Sequence, residues 1–174
     1  MLGLSTLPCE LRAMICENLR GDRRTLKALS LACRPFVGLC QAHLFRAVSF
    51  HAFPHSDKTL NAICNGFYNL LSTSRDIARH VRHVYIKLHP KDTWYTEDRK
   101  FLDILRWLSR LSKLEVDADF DQPFNWELLG EEMGEAFEDI FKRPALRSVK
   151  INGIYNLPAM SLVPILRSLL VMVP

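Results

Sequence analysis

A short apolar pattern that recurs four times constrains the fold of this chain more than any other feature. In each copy, one apolar residue is followed after two positions by a pair of apolar residues that flank a single position, and the copies follow one another roughly every 30 to 36 residues. The alternating pair predicts a short strand with one buried face. The copies are Phe45-x-x-Val48-x-Phe50, Val81-x-x-Val84-x-Ile86, Leu111-x-x-Leu114-x-Val116 and Leu146-x-x-Val149-x-Ile151.

The segments between these strands have helical periodicity. They run from Leu60 to Leu71, from Phe101 to Leu108 and from Trp126 to Phe141, the last with Gly130 and Gly134 inside the expected helix. Strands that alternate with helices at this period predict right-handed crossovers and a short parallel sheet. Both a repeat-like array and a compact α/β domain fit this pattern.

Three short helices are predicted ahead of the first strand. Pro8 suits the beginning of a helix, Gly21 suits its end, and Asp22 can cap the next helix. Pro35 disfavours helical geometry at the residue before it and so predicts a third helix. Apolar stripes such as Leu11, Ile15 and Leu19 cannot be buried by one short helix, so the three must pack together.

The N-terminal residues also resemble a known family. Leu7-Pro8-Cys9-Glu10-Leu11, followed by Ile15 and Leu19, resembles the L-P-x-E-L…I…L opening of F-box domains. The segment from Leu29 to Phe36 is similar to the family's L-S-L-V-C-R-x-W, with Ala32 in place of valine and Phe36 in place of tryptophan, and Leu44-Phe45 resembles its closing L-F. The later strand–helix region resembles the irregular leucine-rich repeats of fungal F-box proteins, without their asparagine ladder.

The resemblance implies a mixed α/β fold, with a three-helix F-box at residues 5–45 and an incomplete, irregular repeat region with a short parallel sheet at residues 46–174. It implies a substrate-recognition adaptor of an SCF-type ubiquitin ligase, without enzyme activity or cofactor. Such an adaptor binds a Skp-type protein, and through it a cullin, and presents an unknown target. Some of the carriers would face the Skp-type adaptor and others would hold the helices together. These are Leu7, Pro8, Leu11, Ile15, Leu29, Leu31, Cys33 and Phe36.

The charges are strongly segregated along the chain. The Asp and Glu residues concentrate between Glu115 and Asp139, where Lys and Arg are absent. This acidic run is read as a solvated face or as a docking surface for a basic partner. Basic residues elsewhere are scattered, which argues against a nucleic-acid-binding stripe. Two rival readings remain: a self-contained structural or regulatory domain, and nucleic-acid binding. The latter would use Arg12, Arg20, Arg23, Arg24 and Lys27.

The cysteines and the two ends of the chain indicate in which cellular compartment the protein is expected. The five cysteines include no C-x-x-C pair and read as buried thiols in a reducing compartment. No signal peptide is expected, because the N-terminus lacks a basic segment and Glu10 interrupts any apolar run. No membrane span is expected either, because prolines and Arg167 interrupt the apolar stretch Leu157–Val173. The cytoplasm or nucleus is therefore the expected address. The chain ends inside that stretch, which suggests a truncated repeat array.

Sequence motifs for catalysis are missing, including P-loops, nucleophile elbows and H-E-x-x-H. His51 and His55 have the spacing of metal ligands on a helix, but Pro54 lies between them, so no metal site is expected. Cys33 beside Arg34 is read as a buried thiol and not as a nucleophile.

Overall fold

The structure, a computed structural model, describes residues 4–51, 60–90, 99–119 and 121–158. Its chain separates into two compact units, Met1–Ala47 and Val48–Pro174. The predicted boundary lay at residue 45. The protein is mixed α/β with a short parallel sheet, as predicted.

The described elements of the N-terminal unit are helices and helical turns, up to Ala47, where the first strand begins. A 3₁₀ turn, Leu4–Thr6, precedes the first helix, and a second 3₁₀ turn, Arg34–Phe36, leads into the third. The three α-helices are α1 (Cys9–Asn18), α2 (Arg23–Ala32) and α3 (Val37–Leu44).

The predicted punctuation determines where these helices begin. Pro8 lies at the N-cap of α1. Asp22 caps α2, because its Oδ1 accepts a hydrogen bond from the Thr25 backbone N–H at 2.9 Å and its Oδ2 accepts one from Thr25 Oγ1 at 2.6 Å. These hydrogen bonds lower the pKa of the Asp22 carboxyl. Pro35 lies inside the 3₁₀ turn before α3.

The unit has its own small core. Helix α3 packs against both α1 and α2. Fully or almost fully buried side chains from all three helices meet there, and partly buried apolar side chains surround them. The buried set is Cys16, Leu26, Phe36, Cys40 and Leu44.

The second unit alternates strands and helices. Its elements begin with β1 (Ala47–Phe50), α4 (Leu60–Thr73), a 3₁₀ turn Arg75–His80, β2 (His83–Leu88), α5 (Lys100–Trp107) and β3 (Lys113–Ala118). They continue with β4 (Phe124–Asn125), a 3₁₀ turn Trp126–Leu129, α6 (Glu131–Phe141), β5 (Ser148–Asn152) and β6 (Ile154–Tyr155).

The recurring apolar pattern sets the register of the sheet. The strand order is β1-β2-β3-β5, and β2, β3 and β5 pair in parallel. Val84 pairs with Leu114 and Leu114 with Val149, so the same position of the pattern aligns across three strands. Side chains of β2 and β3 alternate between buried and half-buried, which gives the sheet one apolar face.

The helices of this unit supply the rest of its core. Helix α5 packs against α4 and α6, and its buried residues include Phe101, Ile104 and Leu105. The predicted helix Trp126–Phe141 is wrong in one respect. Gly130 adopts a φ of 74°, outside the helical region, so the segment divides into a 3₁₀ turn and α6.

Several sequence-based expectations lie outside the described residues. They concern His55 and most of the apolar stretch Leu157–Val173.

Candidate protein-interaction surface

The N-terminal unit exposes large apolar side chains beside its core. Leu31 is 89% exposed, Met14 60% and Leu11 45%. Leu11 and Met14 are three positions apart on α1, so they are neighbours on one face of that helix. Leu4 is also exposed. The helices of this small unit do not cover these side chains, and exposed apolar surface is typical of protein-interaction sites.

The predicted contact residues divide by burial. Pro8, Leu11 and Leu31 are exposed. Leu7, Ile15, Leu29 and Cys33 are half-buried and pack against the core of the unit. These four therefore support the helices and can offer only part of their surface to a partner.

Phe36 does not reach the surface. Its side chain is completely buried in the core formed by α1, α2 and α3. Of the two roles predicted for these residues, contact with the partner is therefore excluded for Phe36 in this conformation, because a fully enclosed ring can meet a partner only if the unit opens. It belongs to the residues that hold the helices together.

Met14 was missed by the sequence reasoning. It is three positions beyond Leu11, a spacing that places two side chains on one helical face. The stripe through Leu11, Ile15 and Leu19 matched a core-facing pattern, and Met14 fell outside it. The missed signal is that α1 carries apolar residues on more than one face.

Two of the basic residues that a nucleic-acid-binding protein would use here form contacts within the unit itself. Arg12 Nη1 donates a hydrogen bond to the carbonyl oxygen of Pro35 at 3.1 Å. Arg20 Nη1 lies 3.2 Å from Glu17 Oε1. Arg23, Arg24 and Lys27 are exposed on α2.

The expectation of buried cysteines is confirmed in this unit for Cys16 and Cys40, whereas Cys9 is exposed. Cys16 Sγ and Cys40 Sγ lie 3.8 Å apart in the core, and both thiols are free. Burial, followed by the neighbouring Cys16, raises the pKa of Cys40 to about 11, which keeps it protonated at neutral pH. Cys33 is half-buried and also free.

On the sheet of the second unit, polar side chains of β2 and β3 form pairs with other polar side chains on or next to these strands. Tyr85 Oη donates to Asp117 Oδ2 at 3.3 Å, and burial raises the pKa of this phenol. Lys87 Nζ lies 2.7 Å from Asp119 Oδ1. Glu115 pairs with Lys113, which lowers the pKa of its carboxyl. The carboxylates of Glu115 and Asp117 on β3, and of Asp119 just after it, therefore meet cations or donors of their own chain.

Two further findings concern the described residues only. Across them, no group of three or more His, Cys, Asp or Glu side chains is placed to hold a metal ion. Nor does any helix in these ranges combine the length and the apolar character that crossing a membrane requires.

Comparisons with protein-family models, with curated protein sequences and with solved structures find no match to this chain.

Proposed function

We propose that this protein is a substrate-recognition adaptor of an SCF-type ubiquitin ligase, with residues 5–45 as an F-box that binds a Skp-type adaptor. The observation that carries the proposal is the exposure of Leu11, Met14 and Leu31 on a helical unit that already has a core. The likeness of Leu7–Leu11 and Leu29–Phe36 to F-box motifs supports it.

The energetic argument is hydrophobic. Full burial of a leucine or methionine side chain contributes about 1.5–3 kcal/mol relative to exposure. Leu31, 89% exposed, retains most of that contribution, and Met14, 60% exposed, retains more than half. A few such anchors supply most of the energy of a protein interface.

The second unit would present the target protein. Its strands and helices recur with the apolar pattern, and the pattern aligns across β2, β3 and β5. We read this as an irregular, leucine-rich-repeat-like region at residues 46–174. Ubiquitin transfer itself would belong to other subunits, reached through the cullin scaffold.

Co-expression with a Skp-type adaptor tests the proposal. We expect a one-to-one complex by size-exclusion chromatography with light scattering. Leu31→Glu and Leu11→Glu should each weaken it about thirtyfold or more, because each places a charge in a desolvated contact. Both positions are exposed, so the variants should retain their helical circular dichroism.

Leu128→Glu is the matched control. Leu128 is 51% exposed, a fraction similar to the 45% of Leu11, but it belongs to the second unit. Adaptor binding should not change in this variant. Wild-type protein that forms no complex, or equal losses in all three variants, would refute the assignment.

The rival readings predict different results. A self-contained structural or regulatory domain would form no complex with the adaptor. Nucleic-acid binding would appear as a steep loss of affinity with salt, and it would depend on Arg23, Arg24 and Lys27. Their exposure on α2 is the observation that keeps this reading open.

A further inference from the structure

An open cavity of about 450 Å³ in the second unit is lined by three arginines, a serine and an alanine. The cavity is formed where the chain enters β2, β3 and β5. The described residues that line it are Arg82, Arg110, Ser112, Ala145 and Arg147.

The recurring pattern brings these residues together. Arg82, Ser112 and Arg147 each follow directly after the first apolar residue of a copy, and those three apolar residues are buried. Backbone hydrogen bonds then align the copies. The N–H of Lys113 donates to the carbonyl of Arg82 at 2.9 Å, and the N–H of Arg147 donates to the carbonyl of Ser112 at 2.8 Å.

Two side chains of the cavity are held in place by the main chain. Arg82 Nη1 donates to the carbonyl of Arg110 at 3.1 Å. Ser112 Oγ donates to the carbonyl of Arg82 at 3.0 Å. Arg110 and Arg147 are exposed. One guanidinium is therefore fixed and half-buried, while two others are free to move onto a ligand.

The cavity has positive charge without an internal counter-ion. Among the described residues, no carboxylate forms an ion pair with Arg82, Arg110 or Arg147. This contrasts with the sheet face, where Lys87 and Lys113 each have a carboxylate partner.

The positive charge of the cavity also acts on the side chain of His80. Burial lowers the pKa of His80, and the charges of Arg82 and Arg110 lower it further. Asp76 acts in the opposite direction, but its carboxylate lies 3.2 Å from Arg79 Nη1 and is already paired.

We propose that this cavity binds a phosphate group, either as inorganic phosphate or as a phosphate monoester. Such a group carries close to two negative charges and three acceptor oxygens, which three guanidinium groups can satisfy together. Arginine also matches the geometry of phosphate oxygens in pairs of hydrogen bonds. None of the described residues that line the cavity is aromatic, so the proposed recognition rests on the phosphate group.

The phosphate has two chemical sources, a free small molecule or a phosphorylated side chain. Three probes separate them: inorganic phosphate, a short peptide that contains phosphoserine, and the same peptide unphosphorylated. Binding is measured by calorimetry and by the arginine Nε–Hε signals of the isotope-labelled full chain. Tighter binding of the phosphopeptide than of inorganic phosphate assigns the site to a phosphorylated protein, and the reverse assigns it to a free phosphate.

Arg110→Gln and Arg147→Gln should each weaken phosphate binding about tenfold, since each removes charge-assisted hydrogen bonds. Both side chains are exposed, and retention of the wild-type circular dichroism is checked. Arg106→Gln is the matched control, because Arg106 is an exposed arginine of α5 that does not line the cavity.

Some results would overturn the site. These are no binding of either phosphate probe, equal binding of the unphosphorylated peptide, or equal loss in Arg106→Gln. If Arg110→Gln unfolds the chain, Arg147→Gln and the shift of the Arg82 Nε–Hε signal still decide the question. Adaptor binding by the N-terminal unit is a separate assay, so failure here leaves the proposed function intact, and the reverse also holds.

Discussion

Gly153 shows how one residue allows the chain to leave the main sheet. It lies between β5 and β6 with a φ of 66°, a conformation that favours glycine. A Cβ at this position would lie 2.4 Å from the carbonyl oxygen of Ala118, at the end of β3. The Gly153 carbonyl also accepts a hydrogen bond from the N–H of Phe124 at 2.9 Å, which starts the small parallel pair β4–β6.

Gly153→Ala should destabilise the protein by about 2 kcal/mol or more, because it adds both a strained φ and a clash with backbone. Denaturant unfolding followed by circular dichroism measures the change. Gly66→Ala is the control, since Gly66 lies in α4 with open space around it. That variant should be stabilised by about 0.5–1 kcal/mol. Equal behaviour of the two variants would contradict the expected strain at Gly153.

At the scale of elements, the apolar pattern predicts the strands well because alternation in a strand is local. Val84, Leu114 and Val149 were expected in separate strands, and the structure pairs them in register. The helix between Trp126 and Phe141 was less predictable. Its apolar face is compatible with a continuous helix, and only the backbone of Gly130 divides it.

The end of α5 depends on a residue distant in sequence. Arg143 Nη1 donates to the carbonyls of Leu105 at 3.2 Å and Leu108 at 2.8 Å. Leu105 is among the last four residues of α5, whose carbonyls have no partner within a helix, so the guanidinium satisfies its carbonyl. The Leu108 carbonyl, at the C-cap, also accepts from the N–H of Leu111 at 3.4 Å. Burial lowers the pKa of Arg143. No local sequence signal indicates this contact.

Arg143→Ala should lower the free energy of unfolding by about 1–2 kcal/mol, because two charge-assisted hydrogen bonds are lost at a partly buried site. Thermal and denaturant unfolding measure the loss. Lys142→Ala is the neighbouring control. Its exposed Nζ lies 3.5 Å from Glu138 Oε2, so its removal should change stability by less than about 0.5 kcal/mol. A loss as large in the control would contradict the role of Arg143.

At the scale of the molecule, the two units carry two different kinds of candidate surface. The N-terminal unit exposes apolar side chains, whereas the second unit has a cationic cavity. The first kind of surface gains free energy from removal of water, and the second from charge pairing. The two proposed partners should therefore respond differently to salt, with screening weakening only the phosphate interaction.

Hydrogen exchange with mass spectrometry tests this assignment on the full chain. A bound Skp-type adaptor should slow exchange in α1 and α2, because binding to the folded state suppresses local opening. The phosphopeptide should slow exchange around Arg82, Ser112 and Arg147 instead. Adaptor-induced protection confined to residues 60–158 would contradict the placement of the adaptor site on the N-terminal unit.

The sequence by itself determined the parts of this protein that depend on local periodicity and chain punctuation. Asp22 and Pro35 mark helix beginnings, and the apolar alternation marks the strands, because caps and side-chain alternation act over a few residues. Tertiary structure decided what depends on packing. It placed Phe36 inside and Leu31 outside, because the sequence of a short helix with apolar residues on several faces does not specify which face is buried. It also brought Arg82, Arg110 and Arg147 to one cavity, because only strand pairing joins residues so distant in sequence.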